Sequence, residues 1–174
     1  NIGAPNNILR IYEKAHGRYL WVIGDDDLPT LSCVSNIYEF LEISNPKLIY
    51  LPSRWSTNKI SRISRLPKFH NYFTEVDSLR LVKTSHMYIT FLSSWIVDVE
   101  VLRSDSNFQY DMFRNTLFPH LSWILESIKK ESKLYVANVN GIEALGGNTG
   151  DYNALTAFSV ELPRILVSSL GEHS

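Results

Sequence analysis

The sequence predicts an α/β fold, a mixed sheet flanked by helices, on three observations. Two short runs of aromatic and branched residues, Tyr19–Ile23 (YLWVI) and Lys47–Leu51 (KLIYL), are nearly continuous in apolar character, as strands covered on both faces are. Each run follows a segment whose apolar residues recur at helical spacing. Helix, strand, helix, strand within 51 residues is the rhythm of a layered α/β domain.

The elements follow in order. Ile8, Leu9, Ile11, Tyr12 and Ala15 mark one face of a helix over about 5 to 16, with Gly17 placed to stop it. The first strand ends at Gly24 and three aspartates. Asp27 or Thr30 is placed to cap a second helix, with Val34, Ile37, Tyr38 and Leu41 as its buried stripe before Pro46. After the second strand, Arg54 to His70 carries Arg54, Lys59, Arg62, Arg65 and Lys68 with no acid among them, which reads as a basic surface excursion. A short helix is expected near 75 to 83, and a long buried strand over Tyr88–Val97 with Ser93 and Ser94 at its centre. Pro119 opens a helix to about Lys130, built on Leu121, Ile124, Leu125 and Ile128. Lys133–Val139 is the last expected strand. A glycine-rich loop over Gly141–Asn153 and a terminal amphipathic helix from about Ala154 to Leu170 complete the chain. There is no internal repeat.

Composition bounds the function. The 174 residues are 44% apolar and 20% charged, with 17 Lys plus Arg against 18 Asp plus Glu, so one compact domain is expected. A formal charge of −1 argues against whole-surface attraction to nucleic acid. The single cysteine, Cys33, excludes an intrachain disulfide and a cysteine-based zinc site and fits a reducing cytoplasm. No run reaches the ~18 to 20 apolar residues of a membrane span. The basic stretch 54–68 leaves room for peripheral contact with an anionic membrane face.

The chemistry points to WVIGDDDLPT. A buried strand that stops at Gly24 and delivers Asp25, Asp26 and Asp27 gathers three carboxylates at the strand edge where open α/β sheets bind ligands. Adjacent anions repel one another, and Mg2+ or Mn2+ relieves the repulsion while keeping open positions for substrate phosphates. Helix capping is the simpler role, but it needs only one aspartate.

NIGAPNNILR, with Asn1, Gly3, Asn7 and Arg10, followed by EKAHGRYLWVIGDDDL, resembles the middle of a family 2 glycosyltransferase of the GT-A fold, a Rossmann-like mixed sheet. The nearest likeness is to bacterial transferases of O-antigen or capsule assembly. The resemblance implies a nucleotide-sugar donor, a saccharide or lipid-linked saccharide acceptor and inversion at the anomeric carbon. By position, Asp25 and Asp26 would meet the donor together with Asn7 and Arg10, and Asp27 with Asp25 would hold the metal. ITFLSSWIVDVEVL resembles the strand leading to the acceptor side, so Ser93 and Ser94, with Trp123 on the following helix, would meet the acceptor. Where many members carry a Glu-Asp pair for the base, this chain reads LFPHLSWIL. His120 becomes the expected base, with a metal ligand, a sugar-binding donor and a partly buried helix-start histidine as the alternative roles for it, and Asp98 and Asp111 behind it as bases. Trp55 and Trp95 are expected in the core.

The resemblance divides the chain into a donor part (1–53), the basic excursion (54–86) and an acceptor part (87–174). It also implies that the first strand-helix units of such a domain precede Asn1, so that a longer parent protein or self-association would cover the exposed edge. Two other classes compete. A DxD-type phosphatase is disfavoured by Leu28-Pro29 after Asp27, and a noncatalytic module binding anionic polymer leaves the aspartate triplet unexplained.

Overall fold

The computed structural model describes residues 2–56, 72–145 and 153–170. Among the described residues, eight strands form two sheets. The larger has β1 (Tyr19–Trp21), β6 (Trp95–Asp98), β3 (Leu48–Tyr50), β7 (Leu134–Ala137) and β5 (Phe73–Val76) in the order β1-β6-β3-β7-β5. Only β3 and β7 run parallel; the other pairs are antiparallel. The smaller sheet, β2-β8-β4, joins β2 (Asp27–Pro29) to β8 (Ile142–Leu145) antiparallel and β8 to β4 (Ser53–Ser56) parallel.

Period-two alternation divides the large sheet between two cores. Leu20, Leu48, Tyr50, Trp95, Val97, Leu134 and Val136 point to one face. That face is covered by α1 (Ala4–Lys14), α4 (Val99–Arg103), α5 (Leu121–Lys129) and α7 (Leu162–Leu170), which contribute Leu9, Tyr12, Leu102, Ile124 and Ile165. Ile49, Ile96 and Ala137 point to the other, where Cys33 and Ile37 of α2 (Leu31–Ser44) and Ile142 of β8 meet them. The predicted mixed sheet flanked by helices is the observed architecture, and its central strands are buried on both faces as their apolar runs require.

The differences are local. Tyr88–Val97 is not one strand: residues His86–Thr90 and Leu92–Ser94 form 3-10 turns, and β6 begins at Trp95. Residues 75–76 end β5, and α3 (Ser78–Ser85) starts after Asp77, which accepts from the Arg80 amide at 2.7 Å. Asp27 belongs to β2 rather than to a helix cap, and Thr30 occupies the N-cap position of α2. The start of the glycine-rich loop is strand β8. The C-terminal helix comprises α6 (Ala154–Thr156), a π-helical turn (Ala157–Glu161) and α7. Lys59, Arg62, Arg65, Lys68 and the glycines Gly146, Gly147 and Gly150 lie outside the described residues. Among the described residues no helix is long and apolar enough to cross a membrane.

Candidate active site

The site is built where β1 turns into β2. Asp27 N–H donates to Gly24 O at 3.2 Å, closing a tight turn with Asp25 and Asp26 at its two central positions. A second segment holds this turn in place. Trp21 Nε1 donates to Ser93 O, Gly24 N–H donates to Ser93 Oγ (both 2.9 Å), and Ser93 Oγ donates to Asp27 Oδ2 at 2.5 Å. One hydroxyl, 1% exposed, thus accepts from the start of the turn and donates to its end. Antiparallel pairing of β1 with β6 brings the two segments together, since Trp21 lies opposite Ile96, just beyond the serines.

The electrostatics follow from burial. Asp25 is exposed, Asp26 half-buried and Asp27 buried. Loss of solvent raises the Asp27 carboxyl pKa, the Ser93 hydrogen bond opposes this, and the charges of Asp26 and then Asp25 add to the rise. A Cβ placed on Gly24 would lie 2.9 Å from Asp27 Oδ2 and 3.0 Å from Asp26 Oδ1. Two carboxylate oxygens therefore converge on a cradle that only a glycine leaves open. Such a pair fits a hard cation that takes one or two carboxylates and completes its shell with phosphate and water oxygens. Among the described residues no three His, Cys, Asp or Glu side chains gather at a metal-sized point, so Asp25 does not join them.

Gly24→Ala places its methyl against these two oxygens while Ser93 restrains one of them. The expected outcome is displaced carboxylates in an otherwise intact fold. Far-UV circular dichroism should match the parent, and a response of the melting midpoint to Mn2+ should be absent from the variant. Ser93→Ala leaves a buried carboxylate without its hydroxyl partner and is expected to cost about 1–3 kcal/mol in urea unfolding at pH 7.

Several predicted site residues are placed elsewhere. His120 is 2% exposed, with Nε2 3.0 Å from Thr90 O, and burial lowers its pKa to about 4. It packs against the sheet instead of meeting an acceptor hydroxyl. Asp98 stands at the opposite end of β6 from Ser93, paired with Arg18 at 3.0 Å and capping α4 through the Val101 amide. It organises that end of the sheet. Asp111 pairs with Arg114 at 2.9 Å in the turns before α5. Trp123 is a core residue, 4.9 Å from the Tyr12 ring centroid, and its Nε1 donates to Tyr110 O at 3.0 Å. Ser94 is fully buried and its carbonyl accepts from Leu51 N–H, so neither serine presents its hydroxyl to an acceptor. Ser93 instead anchors Asp27, a role whose only trace in the sequence is a serine pair interrupting an apolar run.

Asn7 and Arg10 are exposed on α1. With Ile11, Lys14, Ala15 and Leu20 they line an open groove of ≈ 550 Å³ beside edge strand β1, and none of the three aspartates lines it.

No protein-family model and no curated sequence matches the chain. Solved structures do match in shape. The S. aureus TarS 1-349 structure in complex with UDP superposes with a TM-score of 0.64 at 13% identity, over 97% of this chain and 46% of that one. The complex of TarS 1-349 with UDP-GlcNAc gives 0.61 at 13% identity, over 91% and 44%. TarS is a GT-A-type glycosyltransferase. The fold here is GT-A. At this identity the likeness is one of fold, and the chain spans about half the length of the TarS 1-349 structures it matches. On the GT-A frame the Gly24–Asp27 turn sits at the carboxyl end of a sheet strand, the edge where open α/β sheets take their ligands.

Proposed function

We propose that the chain forms part of a nucleotide-sugar-dependent glycosyltransferase that moves a sugar to a hydroxyl of a saccharide or lipid-linked saccharide acceptor in cell-surface polysaccharide synthesis. The observation that carries this reading is the cradle at Gly24, where Asp26 and Asp27 converge at the end of β1 on a GT-A fold. Asp26 and Asp27 would hold Mg2+ or Mn2+, which supplies neutralisation of the charge building on a departing diphosphate. Ser93 fixes the orientation of Asp27 and the Trp21 indole fixes Ser93, so the carboxylate is aimed before the donor arrives. Inversion at the anomeric carbon follows from the family resemblance.

The test is thermal unfolding with UDP, Mn2+, both and neither. Ligand bound only by the folded state adds RT ln(1 + [L]/Kd), about 2.7 kcal/mol at a hundredfold excess over Kd. A rise in midpoint that needs both components and vanishes with EDTA is expected. No rise with UDP or any other nucleoside diphosphate in the presence of Mn2+ or Mg2+ defeats the reading.

A further inference from the structure

Among the described tryptophans, Trp95 and Trp123 are 2% exposed, whereas Trp55 is 52% exposed. Its position is set by the small sheet. Trp55 pairs with Ala144 across β4 and β8, and Ala144 pairs with Asp27 across β8 and β2. Residues directly opposite in neighbouring strands project to the same face, so Asp27, Ala144 and Trp55 share one face in a single row. Two strand spacings of about 4.8 Å put the Trp55 backbone roughly 10 Å from that of Asp27. The residue between them, Ala144, is buried at 1% exposure, so the row is closed at its middle and the indole is its exposed end.

Ser93 closes the other side of this face at Asp27, and Phe91, two residues earlier, supports Trp55 with ring centroids 5.5 Å apart at 43°. Phe91 and the Leu92–Ser94 turn that it caps thus steady the indole and the acidic residue, respectively. On the opposite face of the same strands, Leu28, Glu143 and Arg54 alternate outward.

From this row we infer that Trp55, backed by Phe91, is a stacking platform for a pyranose ring of the acceptor saccharide, within a sugar residue or two of the reacting centre. The electron-rich face of an indole attracts the polarised C–H groups on one face of a pyranose. Partial exposure lets the sugar hydroxyls on the far side stay hydrated. The adjoining Phe91 ring is hydrocarbon and offers no donors or acceptors with which to read the edge of a nucleobase. The assignment to the acceptor rests on the transferase reading above; the sugar-stacking role rests on the exposed, supported indole.

The experiment uses the 174-residue chain on an array of pyranose oligosaccharides, with the UDP and Mn2+ melt run in parallel. The parent should bind a subset of glycans. Trp55→Ala should weaken that binding roughly tenfold, Trp55→Phe should restore most of it, and both variants should keep the parent's circular dichroism and its UDP and Mn2+ shift. Glycan binding unchanged in Trp55→Ala overturns the inference, as does failure of the parent to bind any pyranose. Loss of the UDP shift in Trp55→Ala with glycan binding retained assigns the indole to the donor and also overturns it. A parent that binds glycans through Trp55 but shows no UDP shift keeps the stacking role and defeats the transferase reading instead.

Discussion

Asp27→Asn is expected to make the chain more stable at neutral pH while removing its response to Mn2+ and UDP. Burial raises the carboxyl pKa of Asp27, the Ser93 hydroxyl lowers it, and Asp26 and Asp25 raise it further, for a net rise above the ordinary 3.8. A folded-state value above the unfolded one means that the native state binds the proton more tightly. The associated stability is present in full below the ordinary carboxylate range and is lost as pH rises through the raised value. At pH 7 the ionised side chain therefore opposes folding. Asparagine keeps the shape and can still accept from Ser93 Oγ, but it carries no charge. Each kcal/mol recovered should raise the melting midpoint by about 2–4 °C for a chain of this size. Melts from pH 4 to 8 should show the variant's advantage growing as the parent ionises. A variant less stable than the parent at pH 7, still shifted by Mn2+ with UDP, sinks both the electrostatic account and the metal role. A buried carboxylate kept at the cost of stability is what the proposed ligand-holding role of Asp27 leads one to expect.

Four strands of the large sheet, β1, β3, β6 and β7, were legible because their signal is local, whereas β5, with Thr74 and Glu75 in its middle, was not. Ile49 and Tyr50, or Ile96 and Val97, face opposite cores, so each strand must be apolar on both sides, and a short continuous run shows that without knowledge of its partners. The small sheet was hidden because its pairing is not local. Ser53–Ser56 has no apolar alternation of its own and becomes a strand by pairing with Ile142–Leu145, about half the chain length away. The aspartate triplet was visible as chemistry, yet the roles within it were not. Asp25 and Asp27 look alike in sequence, and only the turn and Ser93, 66 residues beyond Asp27, make one exposed and the other buried. Tryptophan exposure was invisible for the same reason: Trp55 and Trp95 differ in what folds over them.

His120→Gln is the clearest test of where sequence reasoning and structure part. A histidine at the start of a helix near an expected acceptor site invites the role of base, but the residue is 2% exposed and borders a small apolar cavity with Leu20, Val22, Trp95 and Trp123. Its Nε2 faces the Thr90 carbonyl, which only accepts, so Nε2 carries the proton and Nδ1 is left as an acceptor with no hydrogen-bond partner. Charging the ring would place a second N–H in that apolar pocket. Burial accordingly lowers the pKa from 6.5 to about 4, with the Thr90 hydrogen bond opposing in part. A depressed folded-state value means that the unfolded chain binds the proton first as pH falls. The stability is present above about pH 6.5 and is lost progressively down to about pH 4, by roughly 3 kcal/mol over that window. Glutamine donates to the same carbonyl without titrating. Urea unfolding across pH 4 to 7 should show the parent losing about that much more stability than the variant over the window. Parallel curves would return His120 to solvent and reopen its claim as the base. A flattened curve, with the UDP and Mn2+ shift retained at pH 7, makes it a structural residue that joins the His86–Thr90 turn to α5.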